Sequence, residues 1–248
     1  MTFAISSGGV KAEYSGDCTK DTIQIPGVDG TYEALQFHIH LSSEHTIDGE
    51  YFGAELHIVH KQTDGDRYAV VGMMLDAKNP ENHASFEYFV EGWTAIAKQT
   101  TQTCSTSSRL GGKRVLERDR RSLQQFDAYS LVPKGSTFYH YDGGLTTPPC
   151  SEVVWWNLAD TPVSISVAQY SRLSNFILEY RDSATCEIAS IASDSGSTSR
   201  PVQALNGRVV TRICPTTYLE PSGKGSKDGK GSKGGKGSKG GKGSKNGK

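Results

Sequence analysis

Apolar and polar side chains alternate with a period of two in five stretches of the chain, residues 34–41, 54–60, 68–75, 153–158 and 208–213, and this alternation predicts strands. In two other stretches the apolar positions recur at helical spacing. Phe86, Phe89, Val90, Trp93 and Ile96 form one stripe along Glu81–Lys98, and Tyr170, Leu173, Phe176 and Ile177 form another along Val167–Tyr180. Strands outnumber helices, so the expected fold class is mainly β, a large sheet with peripheral helices. From Ser222 to Lys248 the pattern is gone: the chain repeats glycine, serine and lysine with almost nothing apolar, and burial cannot offset the entropy of ordering it. The predicted organisation is a folded domain over 1–221 and a disordered Gly/Ser/Lys-rich cationic tail over 222–248. Lysine at every third position of the tail resembles the period of collagen, but glycine does not hold every third place and no proline follows Pro221, which excludes a triple helix.

With 248 residues, 35% apolar and 22% charged, the chain can bury one substantial core. No run approaches the roughly 18 apolar residues of a membrane span. Met1–Ile5 passes at once into Ser6-Ser7-Gly8-Gly9, so no signal peptide is read in the chain as given. Charge changes the picture more, because the net charge of zero conceals an asymmetry. The tail holds nine lysines against one aspartate, a net +8, which leaves −8 for residues 1–221. A flexible chain of that kind suits a polyanionic matrix or mineral surface; no nucleic acid is expected, since glycine and serine supply no aromatic stacking. Five cysteines, Cys18, Cys104, Cys150, Cys186 and Cys214, form no CxxC pair, which argues against a zinc knuckle or a thioredoxin-type site. Their odd number leaves at least one without an internal partner.

The histidines carry the chemistry. In Gln36-Phe37-His38-Ile39-His40-Leu41 the period of two sends His38 and His40 to one face and Phe37, Ile39 and Leu41 to the other. In Ala54–His60 the same rule groups Glu55, His57 and Val59 against Leu56, Ile58 and His60. If the two strands are neighbours, a third imidazole joins the first pair. Three neutral nitrogen ligands on stiff strands, with a fourth position left to water, is how zinc is held when it is catalytic. An isolated HxH is more often a chance pair of histidines; the third histidine and the carboxylates nearby shift that balance. Metal-bound imidazoles donate their second N–H to an acceptor, and Gln36 and Glu55 are the candidates.

Gln36–His40, Ser43–Thr46 and Ala54–His60 together resemble the signature of the α-class carbonic anhydrases. Two further hallmarks of that family are matched in order, Tyr141–Glu152 with its Leu145-Thr146-Thr147-Pro148-Pro149 core, and Ser199–Arg208. The resemblance implies a long, twisted, mostly antiparallel sheet and a zinc lyase that converts CO2 and water reversibly to bicarbonate and a proton by attack of zinc-bound hydroxide. It implies that His38, His40 and His57 ligate Zn2+, that Thr146 accepts a hydrogen bond from the hydroxide, and that Glu44 accepts one from Thr146. Thr147 would line the polar side of the pocket, with Val59, Val70, Leu145, Val154 and Trp156 forming the apolar wall that holds CO2. Gln36 and Glu55 would orient the ligands, and His45 with Tyr141 would form a buried hydrogen-bonding pair. Inhibition by sulfonamides and anions is implied as well.

The match departs from the family at the N-terminus. Only 37 residues precede His38, and a proton-shuttling histidine would fall at or just before Met1, so the chain reads as an N-terminally incomplete family domain. Cys150 resembles the cysteine that secreted members pair near the mature N-terminus; Cys18 is one substitute partner, a buried free thiol the other reading. An extracellular or secretory-lumen location is the expectation. Two rival functions stand beside the enzyme. The spacing His38-x-His40-x-x-x-Glu44 also fits a cupin metal site, in which Glu44 would bind the metal, although Tyr32 stands where that pattern wants glycine and no later Pro-x-Gly-x-x-His occurs. The other rival is a matrix or binding protein that keeps the fold without strong activity.

Overall fold

The computed structural model describes residues 1–14, 22–25, 28–106 and 128–214; Cys18 and the tail predicted over 222–248 lie outside the described residues. In chain order these form β1 (Thr2–Ser6), β2 (Gly9–Glu13), β3 (Thr22–Ile23), β4 (Tyr32–Leu41), β5 (Ala54–Gln62), β6 (Tyr68–Asn79) and α1 (Ala84–Thr106). A 3-10 turn at Ala128–Leu131 leads into β7 (Phe138–Gly143), β8 (Val154–Ala159), β9 (Val163–Ser166), α2 (Val167–Leu178) and β10 (Thr211–Ile213). The strands make one 10-stranded sheet in the order β1-β2-β4-β5-β6-β8-β7-β10, with β3 beside β4 and β9 beside β6. Pairing is mostly antiparallel, but β6 runs parallel to both β8 and β9, so the sheet is mixed. The chain is mainly β with helices at the periphery, as its pattern predicts. No described helix is long and apolar enough to cross a membrane.

The alternation in β4 determines which face is covered. Phe37, Ile39 and Leu41 are buried, and Phe37 meets Phe89 and Trp93 edge-on, with ring centroids 4.7 Å and 6.0 Å away. The apolar stripe of α1 thus closes the core over this face, and each large side chain so buried stabilises the fold by about 1.5–3 kcal/mol. β4 also carries a bulge: Ala34 pairs with His60 and Gln36 with Val59, leaving Leu35 as an extra residue. Leu35 is 41% exposed, and the shift in phase keeps Tyr32, Ala34, Phe37, Ile39 and Leu41 all inside.

Capping sets where each helix starts: α2 begins at Val167 as predicted, whereas α1 begins later than predicted. α1 begins at Ala84 rather than Glu81 because the His83 imidazole accepts from Phe86 N while the His83 carbonyl accepts from Glu87 N. α2 begins after Ser166, whose hydroxyl accepts from Gln169 N while the Gln169 side chain accepts from Ser166 N, a reciprocal capping box.

A disulfide joins Cys104, in the last turn of α1, to Cys186 beyond α2. Cys150 and Cys214 are free thiols, so among the described residues Cys150 does not take the partner that the resemblance led us to look for. The cross-link spans 82 residues and constrains the unfolded chain. Replacing both Cys104 and Cys186 by serine is therefore expected to lower the unfolding free energy by about 2–5 kcal/mol. Chemical denaturation under non-reducing conditions reads the effect; an unchanged midpoint would contradict it.

Candidate metal centre

β4 and β5 pair so that His38 lies directly opposite His57, His40 opposite Glu55 and Gln36 opposite Val59. One ring nitrogen from each of His38, His40 and His57 lies within 4.8 Å of the other two. The remaining ring nitrogens are committed elsewhere. His38 Nδ1 donates to Gln36 Oε1 at 3.0 Å, His40 Nδ1 to the Thr198 carbonyl at 3.4 Å, and His57 Nε2 to Glu55 Oε1 at 2.7 Å. Since a carbonyl or an ionised carboxylate can only accept, these contacts place each proton and leave His38 Nε2, His40 Nε2 and His57 Nδ1 as lone pairs.

These residues fit a zinc ion. His57 Nδ1 and His38 Nε2 are 3.3 Å apart, close to the separation of about 3.3 Å for two nitrogens each about 2.05 Å from one tetrahedral zinc. His40 Nε2 is buried and has no hydrogen-bond partner, a condition that costs about 1–3 kcal/mol unless something binds there. Burial, and next the neighbouring His57, lower the pKa of His38 and of His40, so both rings are neutral and ready to coordinate.

Behind the three rings lies a buried carboxylate. Glu55 is fully buried and accepts four hydrogen bonds, from His57 Nε2 and His45 Nδ1 at Oε1 and from Glu44 N and His45 N at Oε2. Burial alone would raise its pKa, but the charges and hydrogen bonds of His45 and His57 hold it well below the usual carboxylate range. Its lone pairs are spent, so the second tight group of ligand-type atoms, His45, Glu55 and His57, is an internally satisfied network rather than another metal site. His45 Nε2 meets the Tyr141 hydroxyl at 2.6 Å, which brings together the pair expected at these positions. Gly72, opposite His57 on β6, makes room for the network: a Cβ there would come within 3.3 Å of Glu55 Oε1 and 2.9 Å of Leu158 Cδ1. His60 belongs elsewhere. On the opposite face it donates from Nδ1 to the Ala69 carbonyl, its other ring nitrogen contacts Tyr129, and burial lowers its pKa to about 4.

On the open side of the ligands stands Glu44. Its Oε1 accepts from the Arg200 backbone N–H at 2.8 Å, while Oε2 has no hydrogen-bond partner and lies 3.5 Å from His40 Nε2 and 3.9 Å from His57 Nδ1. Glu44 and Thr146 line the same cavity of about 560 Å³, together with Tyr141 and Trp156. Val59, Val70, Val154 and Trp156 form a buried apolar cluster against which Leu145 packs, so the five side chains expected to make an apolar wall are contiguous. Thr147 is exposed. Two residues that no periodicity marks complete the centre. Thr198 supplies the acceptor for His40, and its hydroxyl and N–H pair with the backbone of Leu41; Arg200 supplies the donor to Glu44. Their sequence signal is the Ser199–Arg208 hallmark, which contains Arg200 and adjoins Thr198.

Three strand-borne imidazoles with outer acceptors define a zinc-type histidine centre on a mixed sheet. The model of the eukaryotic-type carbonic anhydrase family matches residues 2–214, and the chain belongs to that family. It is 33% identical to carbonic anhydrases of Klebsiella pneumoniae, over 195 residues, and of Nostoc sp., over 197 residues, which is 77% and 76% of this chain but only 61% and 60% of those relatives. The carbonic anhydrase Cah3 of Chlamydomonas reinhardtii, solved in complex with acetazolamide, superimposes with a TM-score of 0.56 at 26% identity, over 85% of this chain and 80% of that one. Family membership removes the cupin alternative.

Proposed function

We propose that the chain is a zinc lyase that hydrates CO2 reversibly to bicarbonate and a proton, with His38, His40 and His57 holding the metal. The observation that carries this reading is the convergence of three imidazole lone pairs, one of them on a buried nitrogen with no other partner. It also favours an enzyme over a matrix or binding protein. When bound, zinc supplies a water molecule acidified to a pKa of about 7, a nucleophile available at neutral pH.

The chain's own residues do the rest. Glu55 keeps the proton of His57 on Nε2, and Gln36 does the same for Nδ1 of His38. His45, clamped between Tyr141 and Glu55, holds that carboxylate in place. Glu44 Oε2 is buried and has no hydrogen-bond partner, and we assign it as the acceptor for the hydroxyl of Thr146, which lines the same cavity. A hydroxyl has one proton, so Thr146 Oγ1 is then left only to accept, and it aims the nucleophile that reaches it. CO2 has no net charge, and Val59, Val70, Leu145, Val154 and Trp156 hold it by apolar contact without binding it tightly before reaction. Thr147 borders the polar side.

The Cys104–Cys186 bond supports an extracellular or secretory-lumen location, where disulfides persist. Adsorption of the tail to a polyanionic matrix or mineral rests on its lysines alone. Small anions are expected to inhibit, and so are sulfonamides, whose ionised nitrogen takes the nucleophile's place. Calorimetric titration with acetazolamide tests the site without relying on turnover: one molecule should bind per zinc-loaded chain and none to zinc-free protein. Equal binding to both forms would count against the proposal.

A further inference from the structure

The Ser199–Arg208 hallmark has entered the site so far only through the backbone N–H of Arg200, yet it lies against the part of the site that must be aimed most finely. Arg200 makes two contacts with it. Its backbone N–H donates to Glu44 Oε1 at 2.8 Å, and its side-chain Nη1 donates to the Leu145 carbonyl at 3.4 Å. That carbonyl belongs to the planar peptide bond whose nitrogen is Thr146's own, so holding it fixes where Thr146 N and Cα sit, the base from which its side chain departs. The peptide one step earlier is held independently, with Trp156 Nε1 donating to Gly144 O at 3.1 Å and Leu145 N donating to Ser151 O at 3.0 Å. Farther along the hallmark, Arg208 Nη2 lies 3.2 Å from both carboxylate oxygens of Glu152, beyond the far end of the same loop, and Nη1 donates to the Ala204 and Leu205 carbonyls.

The two arginines are not equal. Glu152 is 63% exposed in its side chain, and an ion pair so open to solvent contributes little. Arg200 instead joins two less exposed partners that are distant from it in the chain, 156 and 55 residues away in sequence.

We infer that Arg200 is a positioning residue: its backbone fixes the carboxylate that receives Thr146's proton, its guanidinium fixes the peptide that carries Thr146, and it thereby sets the distance between Glu44 and Thr146. The inference rests on the CO2-hydration reading above. A residue of this kind acts through Thr146 and not through the metal. Removing its side chain should leave zinc in place while misdirecting one hydroxyl.

The experiment compares wild type, Arg200→Ala, Thr146→Ala and the double variant, all zinc-loaded, by steady-state CO2 hydration and by hydrogen exchange of peptides covering 144–147. Arg200→Ala is expected to keep stoichiometric zinc and an unchanged KM, and to lower kcat about 10- to 100-fold, the loss typical of small misplacements. The same substitution in the Thr146→Ala background should cost less than twofold, because the group it positions is gone. Exchange at 144–147 should rise in Arg200→Ala while the β4 and β5 peptides stay protected. Unchanged exchange at 144–147, or a loss of kcat that is equal in both backgrounds, overturns the inference. If Arg200→Ala does not fold, Arg200→Lys, which keeps the charge but not the planar fork, is measured in its place, with a smaller loss of kcat and the same dependence on Thr146 expected. An inactive zinc-loaded wild type would defeat the hydration reading instead, and the exchange data would still report on the clamp.

Discussion

Replacing His57 by alanine is expected to strip the protein of zinc and of CO2 hydration together. His38 and His40 leave the same strand two residues apart and approach from one side; His57, opposite His38 on β5, closes the third side of the site. Two imidazoles without it do not make the three-nitrogen face that zinc needs. Loss of an outer hydrogen-bond partner costs about 10- to 100-fold in metal affinity, and loss of a ligand costs more. The substitution also removes one of the donors that keep the fully buried Glu55 ionised, which adds to the damage. Metal analysis of the purified variant gives the answer, and a His57→Ala protein with one zinc per chain and full activity would refute the site.

Thr146→Ala separates chemistry from binding. Thr146 is not one of the three residues grouped to hold the ion, so the variant should retain one zinc per chain. Its turnover is expected to fall about 10²- to 10³-fold, the range for losing one preorganised polar group that acts on the reacting atoms. Thr146→Ser keeps the hydroxyl and should recover most of the rate. Wild-type turnover in the alanine variant would mean that the Glu44–Thr146 pair does not orient the nucleophile.

The grouping of His38 with His40, and of His57 with Glu55, was legible in the sequence because a local rule sufficed. Alternation put His38 and His40 on the face opposite Phe37, Ile39 and Leu41, and it put His57 with Glu55; antiparallel register then brought the two groups together. The supporting contacts were not legible, because they come from a segment with no period. Thr198 and Arg200 reach the site from more than 150 residues beyond their partners, and neither lies in a helix or strand. The disulfide is a similar case: among five cysteines, spacing does not tell which two meet.

Several strands escaped the pattern for a related reason. β1 and β2 are a short hairpin, and β7, with the sequence Phe-Tyr-His-Tyr-Asp-Gly, has polar or half-buried side chains on both faces and is stabilised by its neighbours β8 and β10. β10 is shorter than the alternation over 208–213 predicts, since Arg208 turns back onto Leu205 and its guanidinium reaches Glu152 before pairing with β7 begins at Thr211. The start predicted for α2, Val167, agrees with the structure, and Ser166-x-x-Gln169 is the capping signal that fixes it.

If three histidines hold a zinc ion that drives CO2 hydration, activity must follow the metal. Stopped-flow hydration of CO2 by the purified chain, measured as isolated, after removal of metal with a chelator, and after readdition of one equivalent of zinc, is the decisive measurement. Catalysis is expected to disappear with the metal and to return with it at one zinc per chain. A reloaded protein that hydrates CO2 no faster than buffer, or a stripped protein that remains fully active, would contradict it.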